Sequence, residues 1–320
     1  MQEKTRIKNF ESIISFFDDR IKSALENVPD NIKQDAQEIR LRVNKCVVIM
    51  CLNTTYFVDI NGNTYSNPRK SFSFLIPNLR DIENYLKAVC GYSVYSFQEQ
   101  IKNGFITIKG GNRIGICGTA VITNNGITNI KNITSVNLRI ANEFLDCSSE
   151  IFEKIKSSTN GVLIVGPPKC GKTTLLRDLA KKFSTSFIDG DFKKVVIADE
   201  RSEIAAFFCG EPCFDVGFSD VLNGFPKKEA FDMAIRCLSP DIIICDEIGT
   251  IEDAKNVNEC LNAGVRIIAS MHAGNIGELS SRPQAKKILK SGAFETIIFL
   301  DKLSSIIGIK NIYKVSEIKL

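Results

Sequence analysis

Gly166-Pro167-Pro168-Lys169-Cys170-Gly171-Lys172-Thr173 is the stretch that decides the fold of this 320-residue chain. It fits the pattern G-x-x-x-x-G-K-[ST], a glycine-rich loop whose backbone N–H groups cradle phosphate oxygens. An apolar run at 161–165 enters the loop, and a segment with helical spacing at 173–183 leaves it. This order of strand, loop and helix is the context that a phosphate-binding loop requires. The alternative is an ordinary glycine turn between a strand and a helix.

The residue types in this loop suit a nucleoside triphosphate with Mg²⁺. The ammonium of Lys172 is predicted to reach the β- and γ-phosphates, and the hydroxyl of Thr173 is predicted to ligate Mg²⁺. Lys169 adds a positive charge that either attracts phosphate or is simply solvated. The predicted ATP-binding residues are Gly166, Pro167, Pro168, Lys169, Cys170, Gly171, Lys172, Thr173 and Thr174.

Two acidic residues follow a second apolar run. Residues 241–245 read Asp-Ile-Ile-Ile-Cys, and Asp246 and Glu247 come directly after them. In a phosphate-loop fold, an acid at such a strand end holds Mg²⁺, and its neighbour polarises the attacking water. We therefore predict Asp246 as a metal-site residue and Glu247 as a catalytic residue. Considered alone, this pattern is also typical of an ordinary strand end.

Two further strand ends carry candidate catalytic residues. Glu200 follows the apolar run at 195–198 and can order the attacking water or the Mg²⁺ shell; the alternative is a solvated strand end. His272 is the single histidine of the chain and closes the run at 265–270, which is expected to neighbour the strand entering the phosphate loop. Ser270 and His272 are then placed to sense the γ-phosphate by hydrogen bonding. Ligands bind at the carboxyl ends of parallel strands, so a shared site is expected.

From about residue 150, short apolar strands alternate with helical stretches, which is typical of a mostly parallel α/β sheet. The earlier part has the pattern of a smaller α+β domain, so we predict domains at 1–140 and 141–320. Residues 11–28 have the apolar spacing of one amphipathic helix, which either packs on its own domain or docks a partner or membrane surface. Other expected elements are strands at 39–43, 46–52, 55–60, 161–165, 195–198, 241–245, 265–270 and 296–300, helices at 80–89, 173–183, 228–238 and 253–263, and a hairpin at Gly110-Gly111-Asn112.

The composition is that of a globular protein, and it excludes collagen-like, mucin-like and wholly disordered chains. The 41 Lys and Arg residues exceed the 37 Asp and Glu residues by only four, a weaker basic balance than nucleic-acid binding usually shows. The sequence has no run of 18 apolar residues, so no transmembrane helix is predicted. The N-terminus lacks the apolar segment of a secretory signal. The eleven cysteines are therefore expected to be reduced thiols in the cytosol, and Cys209 and Cys213 are not expected to form a metal site.

The motifs, in this order, resemble the ATPases of type II and type IV secretion and of pilus retraction. Four stretches look closer still to the sporulation branch of that superfamily, the stage III sporulation protein AA family. They are 104–115 (GFITIKGGNRIG), 166–178 (GPPKCGKTTLLRD), 198–204 (ADERSEI) and 239–249 (SPDIIICDEIG). The resemblance spans about residues 35–275. It implies a RecA-like P-loop ATPase core preceded by a smaller α+β N-terminal domain.

The resemblance also implies an ATP-hydrolysing ring, a hexamer, with nucleotide between protomers. It assigns Asp246 and Glu247 to Mg²⁺ and water activation, Glu200 to an acidic box and His272 to a histidine box. Arginines that reach across such a ring stabilise charge during phosphoryl transfer. The candidates are Arg113, Arg139, Arg201 and Arg236. Arg236 is included among the predicted catalytic residues, with a structural role near 241–245 as the alternative.

The resemblance further implies a role in powering or gating a channel complex between mother cell and forespore. Membrane-embedded channel proteins of the same sporulation complex are the expected partners. The expected location is cytoplasmic, at the mother-cell face of a membrane. These statements depend on the family, whereas the residues themselves indicate only a ring ATPase.

Two other function classes are weighed against this one. A RecA-like nucleic-acid motor needs a basic groove with stacking aromatic residues, but the chain has no Trp and six Tyr, so no nucleic-acid partner is expected. A nucleotide-dependent assembly scaffold or switch would bind ATP with little turnover. The intact pair Asp246 and Glu247 argues against such a scaffold without excluding it.

Overall fold

The computed structural model describes residues 2–69, 73–123, 126–141, 144, 146–188, 190–301 and 308–318. The chain divides into two compact units: Met1–Glu143 with Phe208–Cys213, and Phe144–Phe207 with Phe214–Leu320. Phe208–Cys213 belongs to the first unit, although the predicted second domain includes it.

The first unit is built on an antiparallel sheet in the order β4-β3-β2-β1-β7-β6-β5. Its strands are β1 (Ala36–Arg42), β2 (Val48–Cys51), β3 (Thr55–Val58), β4 (Thr64–Tyr65), β5 (Phe105–Thr107), β6 (Arg113–Thr123) and β7 (Gly126–Arg139). Its helices are α1 (Gln2–Ile14), α2 (Asp19–Glu26), α3 (Asp30–Asp35), α4 (Leu79–Val89) and α5 (Gln98–Lys102), with 3₁₀ turns at Val94–Phe97 and Lys109–Gly111. The second 3₁₀ turn joins the antiparallel strands β5 and β6, which confirms the predicted hairpin.

The prediction of one helix at 11–28 is wrong. α1 ends at Ile14, and α2 begins at Asp19 because the Asp18 side chain accepts a hydrogen bond from the Ile21 backbone N–H and caps the new helix. Phe17, between the two helices, is buried in the core of the unit. The apolar face of this segment therefore packs on its own domain, and the docking alternative is wrong as well.

The second unit contains a mostly parallel sheet in the order β14-β11-β15-β16-β8-β17-β18, in which only β18 is antiparallel to its neighbour among the described strands. The remaining strands of the chain are β8 (Gly161–Gly166), β9 (Phe187–Ile188), β10 (Asp191–Phe192), β11 (Val195–Asp199), β12 (Phe207–Phe208), β13 (Glu211–Pro212), β14 (Asp220–Asn223), β15 (Ile242–Cys245), β16 (Arg266–His272), β17 (Phe294–Asp301) and β18 (Gly308–Lys314). The remaining helices are α6 (Ser149–Ile155), α7 (Lys172–Thr185), α8 (Lys227–Met233), α9 (Ile251–Asn262), α10 (Ile276–Ser281) and α11 (Pro283–Lys290), with a π turn at Ala234–Leu238 and a 3₁₀ turn at Val315–Glu317.

Burial on both faces explains the near-continuous apolar runs of the central strands. Every residue of β8 and β15 is buried, as expected for parallel strands covered on both sides. One apolar cluster includes α8, α9 and α11, and another includes α6 and α7. The predicted helix at 228–238 is confirmed, because α8 continues directly into the π-helical segment Ala234–Leu238. The helix ends at Ser239, which is left-handed at a φ of 46°.

Tyr85 provides a test of the first unit's core. Its ring stacks on Phe17 at 4.0 Å between centroids, and its hydroxyl donates to the Ile13 carbonyl at 3.0 Å. We predict that Tyr85→Ala lowers the free energy of unfolding of this unit by about 3–5 kcal/mol, because the cavity and the lost hydrogen bond add. Tyr92→Ala is the matched control, since Tyr92 is 81% exposed. Urea titrations followed by circular dichroism measure both, and equal shifts would contradict this core.

Candidate functional site

The glycine-rich loop lies between β8 and α7. β8 ends at Gly166, and α7 begins at Lys172. A Cβ at Gly166 would lie 2.5 Å from the Cys170 sulfur, so a larger residue requires the loop to shift. Lys169 and Gly171 are left-handed, with φ values of 64° and 95°. These two positions let the chain turn sharply from the strand into the helix.

Lys172 is the buried cation of the site. Its Nζ lies 3.0 Å from the Gly166 carbonyl oxygen, 2.9 Å from the Pro167 carbonyl oxygen and 2.9 Å from His272 Nδ1. Burial lowers the pKa of the Lys172 ammonium below its usual value, and nearby anionic groups oppose the shift only in part. The hydrogen bonds to carbonyl oxygens offset the cost of burying this charge.

His272 links Lys172 to Glu247. The residue ends β16, which pairs in parallel with β8 as predicted, and His272 lies opposite Gly166 in register. An ammonium can only donate, so Nδ1 accepts from Lys172 and the ring proton is on Nε2. Nε2 lies 3.5 Å from Glu247 Oε2. The imidazole therefore connects the loop cation with the candidate catalytic carboxylate.

Asp246 is held by three donors directly after β15. Its Oδ2 accepts from the Thr173 hydroxyl at 2.9 Å. Its Oδ1 accepts from the Ser270 hydroxyl at 2.7 Å and from the Glu247 backbone N–H at 2.9 Å. Ser270 is fully buried, and its hydroxyl orients the carboxylate of Asp246; that Ser270 also senses a γ-phosphate stays a prediction.

Hydrogen bonds to the Asp199 side chain hold the acidic segment that follows β11. The buried carboxylate of Asp199 accepts hydrogen bonds from the backbone N–H groups of Glu203, Ile204 and Ala205 at 2.7–3.2 Å. Burial raises the pKa of Asp199 above its usual value, although these N–H groups oppose the shift. The backbone of residues 200–205 therefore folds around the Asp199 carboxylate.

Glu200 lies in a pocket with the two acids of the second strand end. The pocket is lined by Ala198, Glu200, Arg201, Glu203, Lys227, Asp246 and Glu247. Glu200 Oε2 forms an ion pair with Lys227 Nζ at 3.1 Å. The lining thus contains four carboxylates and two cations, so acidic groups predominate in this pocket.

The four candidate arginines are in different places. Arg201 lines the pocket. Arg236 is exposed on the π turn and does not line that pocket. In the first unit, Arg113 and Arg139 lie directly opposite each other on β6 and β7. Glu38 on β1 is the next residue in this row, and its Oε1 lies 3.9 Å from Arg139 Nε.

The other predicted loop residues surround Lys172 in sequence. Pro168 and Lys169 are exposed, while Pro167 is half-buried. Cys170 is buried, and its sulfur lies 4.0 Å from Lys172 Nζ. Thr174 is half-buried in the first turn of α7, and its carbonyl oxygen accepts from Cys147 Sγ at 3.9 Å.

The residues present fit a nucleotide with Mg²⁺. A cationic loop at a helix N-terminus offers backbone N–H groups and Lys172 to phosphate. Thr173 and Asp246 place a hydroxyl and a carboxylate side by side, and Mg²⁺ is usually held by one or two such oxygens together with substrate phosphates. Across the residues that the structure covers, no group of three His, Cys, Asp or Glu side chains forms a metal cage, Cys209 and Cys213 included.

Sequence reasoning missed two residues of the site. Asp199 is the first acid of the pair at the end of β11, and this position is a usable sequence signal for a buried carboxylate. Lys227 follows Pro226 at the start of α8, and nothing in that local pattern indicates a pocket residue.

Comparison with protein families gives one match over nearly the whole chain. The family described as "Sporulation stage III, protein AA" matches residues 6–320. Stage III sporulation protein AA of Bacillus subtilis (strain 168) is 34% identical over 295 residues, which cover 92% of this chain and 91% of that protein.

Two solved structures share the fold. The ATPase DotB of Yersinia pseudotuberculosis superposes with a TM-score of 0.58 at 14% identity, covering 94% of this chain and 81% of that one. The pilus retraction motor PilT, solved with bound ADP, superposes with a TM-score of 0.53 at 16% identity, covering 90% and 80%. The predicted RecA-like fold class is thereby confirmed. In the part of the chain that the structure describes, no helix has the length and apolar character needed to span a bilayer.

Ser270 provides a test of the site's internal hydrogen bonds. Ser270→Ala removes the donor to Asp246 Oδ1, and the loss of a hydrogen bond to a charged group costs about 1.5–3 kcal/mol. We therefore predict a lower midpoint of thermal unfolding for this variant. Ser281→Ala is the control, because Ser281 is exposed and its hydroxyl bonds only to the preceding turn at Glu278. A Ser270→Ala protein as stable as this control would contradict the assigned contact.

Proposed function

The chain belongs to the sporulation stage III protein AA family, and on that premise we propose that it is an ATPase, a hexameric ring motor that powers or gates a channel complex between mother cell and forespore. Its cofactors are ATP and Mg²⁺. Its partners are membrane-embedded channel proteins of the same sporulation complex, and it works at the cytoplasmic, mother-cell face of a membrane.

One continuous set of contacts carries the proposal. Lys172 of the phosphate loop contacts His272, which faces Glu247 at 3.5 Å. On the other side, Thr173 donates to Asp246, the residue that directly precedes Glu247. The phosphate-binding cation, the metal-site residues and the candidate base are therefore joined within one strand-end cluster.

Each residue has a chemical task in this scheme. Bound Mg²⁺ offsets the negative charge of the β- and γ-phosphate oxygens. Lys172 binds those oxygens, and Thr173 and Asp246 hold the cation. Glu247 accepts a proton from the attacking water as general base. His272 accepts from Lys172 at Nδ1 and has its Nε2 3.5 Å from Glu247 Oε2, so it lies between the loop cation and the general base.

A neighbouring protomer of the ring supplies further positive charge to the phosphates. We assign this task to Arg113 and Arg139, which lie opposite each other on β6 and β7. A guanidinium group suits it because it can bind a phosphate through two parallel hydrogen bonds. Arg201 belongs to the chain's own pocket, and Arg236 lies outside that pocket.

Nucleotide affinity tests the phosphate loop. Lys172→Ala is expected to weaken binding of a fluorescent ATP analogue at least tenfold, because a buried charge-assisted contact to phosphate is lost. Lys255→Ala is the matched control, since Lys255 is exposed on α9 and pairs with Glu252. Similar dissociation constants for the two variants would rule out phosphate binding by Lys172.

Turnover tests the function itself. ATP hydrolysis per protomer is measured against protein concentration with Mg²⁺, for the wild type, Glu247→Gln and the exposed control Glu259→Gln. We expect turnover that rises steeply with concentration, because neighbouring protomers complete the site. Glu247→Gln should lower kcat by a factor of about 10² or more while nucleotide still binds. Low turnover, independent of concentration and equal in all three proteins, would instead identify a nucleotide-dependent scaffold or switch.

A further inference from the structure

Lys227 is a mostly buried cation of the candidate site. Its side chain is 13% exposed, and its Nζ lies 3.1 Å from Glu200 Oε2 and 4.0 Å from Asp253 Oδ2. It occupies the first position of α8, directly after Pro226. It is also one of the residues that line the pocket with Asp246 and Glu247.

The charge on this lysine is favoured by its surroundings. Burial by itself lowers the pKa of Lys227, but the carboxylates of Asp253 and Glu200 oppose that effect, and the pKa lies above its usual value overall. The side chain is therefore a permanent cation at neutral pH. An ion pair in which one partner is shielded from water is stronger than an exposed pair, because solvent screens it less.

Asp253 extends the connection to the segment that follows Glu247. Its Oδ2 accepts from the backbone N–H groups of Gly249 and Thr250, both at 2.9 Å. The Thr250 hydroxyl accepts in return from the Asp253 N–H at 3.0 Å, so this carboxylate is rigidly placed by a capping box at the start of α9. Lys227 thus contacts one fixed carboxylate, Asp253, and one half-exposed carboxylate, Glu200.

We propose that Lys227 is a positioning residue that anchors Glu200 to the fixed start of α9 and so keeps the Glu200 carboxylate in the pocket beside Glu247. The inference rests on the proposed ATPase function. It adds a residue that belongs to neither the phosphate loop nor the acidic strand ends.

Electrostatics gives the physical reason. Glu200, Glu203, Asp246 and Glu247 line one pocket, and like charges at close range repel one another. Glu200 is 40% exposed, so without a cation on its inner side it gains free energy by turning towards water. Lys227 holds it against that repulsion and also reduces the negative charge that an incoming triphosphate meets.

The test compares Lys227→Met, Lys227→Arg and the exposed neighbour control Lys228→Met. We expect Lys227→Met to lower kcat for MgATP about tenfold while the dissociation constant of a fluorescent ATP analogue stays within twofold. Lys227→Arg should recover kcat to within threefold of the wild type, and Lys228→Met should match the wild type. The double variant Glu200→Gln/Lys227→Met should be no slower than Glu200→Gln alone, because both changes remove the same interaction.

The inference is overturned by any of three results: Lys227→Met with the kcat of Lys228→Met, an arginine variant that does not recover, or effects of the two single changes that multiply in the double variant. A readout without turnover separates this from failure of the ATPase proposal. Amide hydrogen exchange at residues 200–202 should be several-fold faster in Lys227→Met and unchanged in Lys228→Met. If the wild type does not hydrolyse ATP, the proposed function fails, and the exchange rates alone decide whether Lys227 anchors Glu200.

Discussion

The buried ammonium of Lys172 is the interaction on which the second unit's site depends. A charge removed from water costs several kcal/mol unless hydrogen-bonding partners replace the solvent. Here two loop carbonyl oxygens and the His272 ring provide those partners. The loop must therefore bend sharply enough to aim its carbonyl groups at its own lysine, which is why Gly166 has no room for a side chain and Gly171 is left-handed. The contact with His272 in turn requires β16 to lie beside β8.

The strand order converts this local requirement into a complete site. β11, β15, β16 and β8 are consecutive neighbours and run parallel, so their carboxyl ends share one edge of the sheet. At that edge, β8 is followed by the loop that bears Lys172, and β16 ends with His272. β15 is followed by Asp246 and Glu247, and β11 by the acidic segment. The hydroxyls of Thr173 and Ser270 then fix the orientation of the Asp246 carboxylate. The family relationship and the shared RecA-like fold agree with this arrangement, and Lys227 accounts for how the excess of carboxylates is held in place.

The first unit shows where sequence patterns were less reliable. The alternation in β1 predicted a half-buried strand correctly, because period two reports directly on the two faces of a sheet. The helix pattern at 11–28 was continuous, yet the chain breaks there: Asp18 competes as a cap, and the core accepts the apolar residues of two helices equally well. Apolar spacing records which side chains are buried, but it does not record whether the backbone between them stays helical.

The sequence by itself determined the glycine-rich loop between a strand and a helix, the strand-end position of Asp246 and Glu247 and the alternating α/β order, because each follows from short-range backbone geometry or from burial of a single element. Only the tertiary structure decided which distant side chains meet. Ser270 bonds to Asp246 across 24 residues, and His272 contacts Lys172 across 100. Lys227, at the start of α8, reaches Glu200 in the turn after β11. Such pairs are set by strand order and helix placement, and no local spacing along the chain encodes them.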